Sequence, residues 1–205
     1  MIKNILFDLD GVLVDAREWH YAALNKALHD VVGFGISKED HLQRFDGLPT
    51  RIKLQILDKI DPDDYEKIFT LKQHHTLVMI RDYCKPDKKK IDMMHGLNNY
   101  RKACIINSIY KTAYEMLVCS GLNYYMEYVQ GNECTAFNKP SPSPYLFAMS
   151  KMGIIPQETL IVEDSDTGIE SATKSGANVL KLRAFEDLDL DMITKAIRKH
   201  EGDSK

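Results

Sequence analysis

The 205-residue sequence is short of cysteine, of net charge and of long apolar runs, and each shortage excludes a class of protein. Its four cysteines stand far apart and form no Cys-x-x-Cys pair, which argues against a zinc ribbon, a thioredoxin-type motif and a dense disulfide framework. No apolar run approaches the roughly 18–20 residues that span a bilayer, and the first residues lack the pattern of a secretory signal. We therefore expect a cytoplasmic protein with reduced thiols and no membrane attachment.

The charge balance and the missing motifs narrow the choice of function. Lysine and arginine number 27 against 30 aspartates and glutamates, a formal net charge of −3, so we expect no nucleic-acid-binding surface. The sequence lacks the phosphate-binding loop G-x-x-x-x-G-K-[ST], the dinucleotide fingerprint G-x-G-x-x-G, the metalloprotease motif H-E-x-x-H and the nucleophile elbow G-x-S-x-G. With 44% hydrophobic and 28% charged residues, the chain has the composition of an ordinary globular protein.

Hydrophobic periodicity predicts an α/β protein with an all-helical insertion. Residues 2–7 have the pattern of a short buried strand, and the apolar residues from 16 to 84 recur at helical spacing. Further along, strands are predicted at residues 103–107, 128–130, 159–162 and 178–182, with a helix between each pair. Such alternation is typical of a doubly wound parallel sheet, a Rossmann-like core. We expect this core in residues 1–15 and 87–205, and a second, helical domain in residues 16–86.

Polar residues gather where the predicted strands end, which is where open parallel sheets bind ligands. These residues are Asp8, Asp10, Asn107, Ser108, Glu163 and Asp164, and Lys139 precedes a proline that opens a helix. Carboxylate oxygens suit Mg²⁺, and an ammonium, a hydroxyl and backbone N–H groups suit phosphate oxygens. A carboxylate can also act as a nucleophile. The set therefore fits phosphoryl transfer.

Each of these residues, taken singly, also has an ordinary structural explanation. The ordinary roles are a helix N-cap for Ser108, a surface position for Lys139 and the acidic first turn of a helix for Glu163 and Asp164. The pair Asp8 and Asp10 stands apart from other Asp-x-Asp sequences in the chain, because a buried strand precedes it. Gly11 follows the pair and permits a sharp turn where a ligand approaches.

Four stretches of the sequence resemble the motifs of the haloacid dehalogenase superfamily, in that family's order. They are FDLDGVLVD at residues 7–15, Ser108 after an apolar strand, Lys139-Pro140, and VEDSDTGIESATKSGA at residues 162–177. The first and fourth are the specific ones, and together the four span nearly the whole chain. The helical insertion resembles that of the subgroup with a helical cap, to which β-phosphoglucomutase and phosphoglycolate phosphatase belong. The resemblance implies a Rossmann-like catalytic core with an inserted α-helical cap domain.

The resemblance also implies a role for each motif residue. Asp8 corresponds to the nucleophile that forms an aspartyl-phosphate, and Asp10 to the general acid and base. The implied cofactor is Mg²⁺, held by Asp8, Asp164 and the main-chain carbonyl of Asp10, with Glu163 in support. The implied phosphate-binding residues are Asn107, through its main-chain N–H, Ser108 and Lys139.

In the resembling subgroup the cap closes over the site, excludes water and recognises the leaving group. The candidate substrate residues in the insertion are His20, Arg51 and Lys72. An exposed helix charge is the alternative interpretation of Arg51 and Lys72. The short insertion favours a small phosphorylated molecule as substrate, and we expect a monomer or a weak dimer.

Several hypotheses about function remain open. The first is an Mg²⁺-dependent phosphomonoester hydrolase, and the second is a phosphosugar mutase resembling β-phosphoglucomutase, in which a sugar hydroxyl replaces water. His20, Arg51 and Lys72 favour the mutase, whereas Ala16 lacks the hydroxyl found there in the resembling mutase. A non-catalytic regulator that binds a phosphorylated ligand predicts a broken catalytic set. Phosphonate cleavage through a Schiff base would need a lysine in the insertion, Lys53 or Lys72.

Overall fold

The structure, a computed structural model, describes residues 1–45 and 48–202, the side chain of Glu201 excepted. The chain divides into two compact units, one of Met1–Asp15 with Lys85–Lys205 and the other of Ala16–Cys84. The second boundary predicted from the sequence, between residues 86 and 87, lies two residues further along the chain. Within the described ranges, no helix combines the length and the apolar character needed to cross a bilayer.

The unit Ala16–Cys84 is built from helices in its described part. Its elements are α1 (Arg17–Val32), α2 (Lys38–Asp40), a π-helical turn (His41–Phe45), α3 (Thr50–Ile56), a 3₁₀ turn (Pro62–Asp64) and α4 (Tyr65–Tyr83). Ser37 is the N-cap of α2, since its hydroxyl accepts from Asp40 N at 3.0 Å. Helix α3 ends at Ile56, and two residues later Asp58 adopts a left-handed φ of 50°, which aspartate tolerates better than most residues. The fully buried side chains of this unit include Leu28, Phe45, Leu54 and Ile68.

The other unit contains one parallel sheet. Its strands within the described residues are β1 (Asn4–Phe7), β2 (Arg101–Ile105), β3 (Tyr128–Gln130), β4 (Thr159–Glu163) and β5 (Asn178–Lys181). They lie in the order β3-β2-β1-β4-β5, and every pair is parallel, which confirms the predicted doubly wound α/β fold. Strand β1 is central and buried along its whole length, as expected for a strand covered on both faces.

Helices connect the strands of this unit, and the order of the strands reverses between β1 and β4. The helices are α5 (Lys88–Gly96), α6 (Tyr110–Cys119), α7 (Ser143–Met152), α8 (Asp166–Lys174) and α9 (Leu190–Gly202). Leu6 of β1, Tyr145 of α7 and Ile161 of β4 share one buried cluster. Because the chain passes from β3 across β1 to β4, the topological switch point lies at the carboxyl ends of β1 and β4. Open α/β sheets bind ligands at such a point.

The predicted limits of β1, β2, β4 and β5 each differ from the structure by one or two residues, and the differences at β2 and β4 concern the site. Strand β2 begins and ends two residues earlier than predicted, so Asn107 and Ser108 lie in the turn before α6. Lys102 lies just before the predicted start of β2, yet its side chain is buried and its Nζ donates to two main-chain carbonyls. Strand β4 extends one residue further than predicted and ends with Glu163.

Candidate active site

The first motif forms a tight turn at the end of β1. Asp8 follows the strand, and its N–H donates to the carbonyl of Val162 in β4 at 3.0 Å. The carbonyl of Leu9 then accepts from three successive N–H groups at 2.9–3.2 Å. Gly11 has a φ of 82°, and a Cβ there would lie 2.1 Å from Asp164 Oδ2. Glycine therefore allows the turn to approach Asp164.

Three carboxylates meet at this edge of the sheet. Asp8, Glu163 and Asp164 each offer one oxygen, and the three oxygens lie within 4.8 Å of one another. Glu163 is fully buried, whereas the other two are half-buried. A Cβ on Gly168 of α8 would lie 2.1 Å from the Glu163 carboxylate, so glycine at that position makes room for it. Carboxylate oxygens grouped in this way form the donor set that hard divalent cations prefer.

The ammonium of Lys139 joins two of these carboxylates. Its Nζ lies 2.6 Å from Asp8 Oδ1, 2.6 Å from Glu163 Oε1 and 2.8 Å from the carbonyl oxygen of Ile105. An ammonium has three donors, so all of them are in use, and the side chain is only 2% exposed. Contact with a phosphoryl oxygen, the role that the resemblance implies, therefore requires Lys139 to release one of these partners.

The site carries more negative charge than one lysine neutralises. Burial raises the pKa of Asp8 well above its usual range, Lys139 opposes this, and Glu163 and the half-buried Asp10 add to it. Burial alone would lower the pKa of Lys139, but the carboxylates of Asp8 and Glu163 raise it well above its usual value. The lysine therefore stays charged, and the excess negative charge is of the kind that a bound divalent cation would remove.

Asn107 and Ser108 follow β2 beside this cluster in the fold. The Asn107 side chain accepts from Lys139 N at 3.0 Å and donates to Lys139 O at 3.3 Å. The Ser108 hydroxyl oxygen is buried and has no hydrogen-bond partner among the described residues. Ser108 is not the N-cap of α6, since that position belongs to Ile109. The Ser108 hydroxyl therefore has capacity for a hydrogen bond that the described residues do not supply.

A loop after β3 fastens the turn that carries these two residues. Asn132 N donates to Ser108 O at 2.9 Å, and Asn132 Nδ2 donates to Asn107 O at 3.0 Å. Both carboxylate oxygens of Glu133 lie 3.1 Å from Tyr110 N, the first N–H of α6. These contacts could not be predicted from the sequence, because a polar loop without a family pattern gives no indication of what it binds.

Tyr145 is a further residue of the site that was not among the predicted ones. Its side chain lies in the buried cluster of the sheet, and its hydroxyl donates to Glu163 Oε1 at 2.5 Å. The available signal in the sequence is its position, since Tyr145 is an aromatic residue in the helix that follows Lys139-Pro140. Hydrophobic periodicity explains that position by packing alone, and it does not show that the hydroxyl reaches a carboxylate.

The three candidate residues of the insertion have different surroundings. Lys72 of α4 is 8% exposed, and its Nζ lies 3.5 Å from Nδ1 of the half-buried His20 in α1. Arg51 is exposed and pairs with Glu66 at 3.0 Å. That pair matches the alternative interpretation of Arg51 as an exposed helix charge. The substrate roles of all three residues stay predictions.

Comparison with known proteins points to one family. The family model of haloacid dehalogenase-like hydrolases matches residues 5–182. A phosphoglycolate phosphatase of Aquifex aeolicus is 28% identical over 178 residues, which cover 85% of this chain and 82% of that enzyme. A fructose-1-phosphate phosphatase of Escherichia coli is 26% identical over 185 residues, 88% of this chain and 96% of that enzyme. A β-phosphoglucomutase structure from Clostridium difficile has a TM-score of 0.81 at 20% identity, with 98% of this chain and 99% of that one covered.

The chain belongs to the haloacid dehalogenase-like hydrolase family, because the family match covers most of its length. This confirms the resemblance inferred from the four sequence motifs. The likeness to the mutase structure confirms the fold, a parallel sheet of Rossmann type.

Proposed function

We propose that the protein is an Mg²⁺-dependent phosphomonoester hydrolase with Asp8 as its nucleophile. The observation that carries the proposal is the setting of Asp8 at the end of the central strand. Its carboxylate is held 2.6 Å from the Lys139 ammonium, in a group of carboxylates whose charge exceeds that of the lysine. Excess buried charge costs free energy, so such a cluster is expected where it serves an ionic ligand rather than stability.

The residues present fit a magnesium ion. The three grouped carboxylate oxygens are hard donors, and the bare Gly11 leaves Asp164 room beside the first motif. Asp8, Asp164 and the main-chain carbonyl of Asp10 would hold the ion, with Glu163 in support through one carboxylate oxygen. When bound, the cation would supply positive charge to the phosphoryl oxygens.

The chain's own residues account for both halves of the reaction. An Asp8 oxygen attacks phosphorus, the bond to the leaving oxygen breaks, and Asp10 donates its proton to that oxygen. In the second half, Asp10 takes a proton from water, the water oxygen attacks the aspartyl-phosphate, and the Asp8 carboxylate leaves. Lys139 keeps Asp8 oriented, and the Ser108 hydroxyl donates to the phosphoryl group.

The relatives support a small phosphorylated metabolite as the substrate. Two of them are named for phosphoglycolate and fructose 1-phosphate, a short phosphorylated acid and a sugar phosphate. We propose that the substrate comes from these two chemical classes, and that the protein works without nucleic acid or membrane.

The proposal is tested by phosphate release from a panel of sugar phosphates, nucleoside monophosphates and phosphorylated acids. We expect turnover with Mg²⁺ and none with excess EDTA. Asp8→Asn, which keeps the shape of the side chain, should lower kcat by a factor of at least about 10³. Asp92→Asn, which alters an exposed pair with Lys88, is the matched control and should leave the rate unchanged. Retained activity in Asp8→Asn would show that Asp8 is not the nucleophile, and silence of the wild type would favour a binding protein.

A phosphomutase is the second candidate, and the buried Lys72 beside His20 is the observation that favours it. Such a pair could bind a second anionic or hydroxyl group of a sugar phosphate. Conversion of a hexose 1-phosphate without release of phosphate would identify this activity. Lys72→Met should then raise KM about tenfold or more, whereas Lys67→Met, at an exposed position of the same helix, should not.

A further inference from the structure

A tyrosine hydroxyl contacts the most deeply buried carboxylate of the site. Tyr145 and Glu163 are both fully buried, and the Tyr145 hydroxyl donates to Glu163 Oε1 at 2.5 Å. Packing of the ring against the sheet accounts for an aromatic residue at this position. Phenylalanine would pack equally well, so the hydroxyl calls for a separate explanation.

The contact fills the hydrogen-bonding capacity of one oxygen of Glu163. Besides the Tyr145 hydroxyl, Oε1 accepts from Lys139 Nζ at 2.6 Å. A carboxylate oxygen has two lone-pair sites, and both are now occupied. The other oxygen, Oε2, has among the described residues only a long contact of 3.5 Å with Ser165 Oγ. Oε2 is therefore the oxygen with capacity for a cation.

We infer that Tyr145 is a positioning residue that makes Glu163 offer a single oxygen to the metal. The inference rests on the proposed function, in which the carboxylate cluster holds a divalent cation. Mg²⁺ requires near-octahedral geometry, whereas Ca²⁺ takes 6–8 oxygens and readily binds both oxygens of one carboxylate. With Oε1 tied to Tyr145 and Lys139, a two-oxygen contact with Glu163 is blocked. Tyr145 therefore favours Mg²⁺ over Ca²⁺.

Tyr145→Phe isolates this effect, because it removes the hydroxyl and keeps the ring. The Lys139 ammonium lies 4.9 Å from the centre of that ring, a cation–π contact that phenylalanine retains. Tyr128→Phe is the matched control. Tyr128 is half-buried in β3 of the same sheet, and its hydroxyl contacts Gln130 Oε1 at 3.4 Å.

The experiment is calorimetric titration of the metal-stripped protein with Mg²⁺ and, separately, with Ca²⁺, without substrate. Tyr145→Phe should weaken Mg²⁺ binding about tenfold, the typical effect of losing a partner of a metal ligand. Ca²⁺ binding should weaken less, so the preference for Mg²⁺ falls. Tyr128→Phe should leave both dissociation constants unchanged. A thermal melt in EDTA checks that each variant is folded.

A second variant separates action through Glu163 from a general loosening of the site. In a Glu163→Gln background, Tyr145→Phe should change Mg²⁺ binding less than twofold, because the charged partner is gone. A full tenfold loss in that background would overturn the assignment. Equal losses for Mg²⁺ and Ca²⁺, or unchanged binding in Tyr145→Phe, would also overturn it. A wild-type protein that binds no Mg²⁺ would instead refute the metal site of the proposed function.

Discussion

The side-chain amide of Asn107 hydrogen-bonds both main-chain polar groups of Lys139, at 3.0 Å to its nitrogen and 3.3 Å to its oxygen. The amide fixes the main chain of the residue whose ammonium reaches Asp8 and Glu163. Asn107 thus connects the turn after β2 to the carboxylate cluster. The phosphate contact implied for Asn107 concerns its main-chain N–H, a different group, and stays a prediction.

Replacement of Asn107 by alanine should uncouple Lys139 from this turn. Two hydrogen bonds are lost, so we expect the free energy of unfolding to fall by about 1–2 kcal/mol in urea titrations. Because Lys139 is then less well oriented, kcat for phosphate release should fall about tenfold or more. Asn98→Ala, at an exposed position, serves as the control. A loss of stability with unchanged kcat would show that the two hydrogen bonds between Asn107 and Lys139 have no bearing on catalysis.

Replacement of Ser108 by alanine should separate stability from ligand binding. Its buried hydroxyl has no partner among the described residues, so its removal should leave stability unchanged or raise it by up to about 1 kcal/mol. Affinity for inorganic phosphate, measured as inhibition, should fall about tenfold, since a hydrogen bond to a charged group contributes roughly 1.5–3 kcal/mol. In Ser120→Ala a buried hydroxyl bonded to Leu117 O at 3.2 Å is lost, and we expect the opposite result, lower stability with unchanged phosphate affinity.

Lys90 should make stability depend on pH in the alkaline range. Its buried Nζ donates to the carbonyls of Phe185 and Leu188 at 2.9 Å each, and burial lowers its pKa from 10.5 to about 8. Between these two values the unfolded chain binds more protons than the folded one, so stability rises with pH. Relative to Lys90→Met, the wild type should gain on the order of 3 kcal/mol from below pH 8 to above pH 10.5. The free energies of unfolding are measured by urea titration across that pH range. If those of the wild type and Lys90→Met change with pH in parallel, the lowered pKa does not belong to Lys90.

The sheet and the position of the site could be predicted because both depend on local patterns. Apolar runs of strand length alternate with helical periods, and the polar residues that follow β1 and β4 are adjacent to them in the sequence. Parallel strands bring such ends together, whatever lies between them in the chain. Asp8, Glu163 and Asp164 are therefore grouped as the sequence suggested.

What the sequence could not provide is the pairing of side chains that are distant in the chain. Hydropathy places lysines on the surface, yet Lys90 and Lys102 are buried, with their ammonium groups on main-chain carbonyls. The Tyr145 hydroxyl and the carboxylate of Glu133 likewise find partners fixed only by the packed fold. Hydrophobic periodicity predicts which face of a helix or strand is buried, but it does not predict where the end of a long side chain lies.

The central place of β1 has a consequence for how the protein is made. Its neighbours β2 and β4 come later in the chain, and Asn4 bonds to a residue 155 positions away. At about 5–20 residues per second, a ribosome completes that partner roughly 8–30 s after β1. Until then one edge of this fully buried strand has no partner, and such edges favour aggregation. Nascent chains that stall before residue 159 would expose that edge, and Asp8 would exist before Glu163 and Asp164, the carboxylates with which it is grouped.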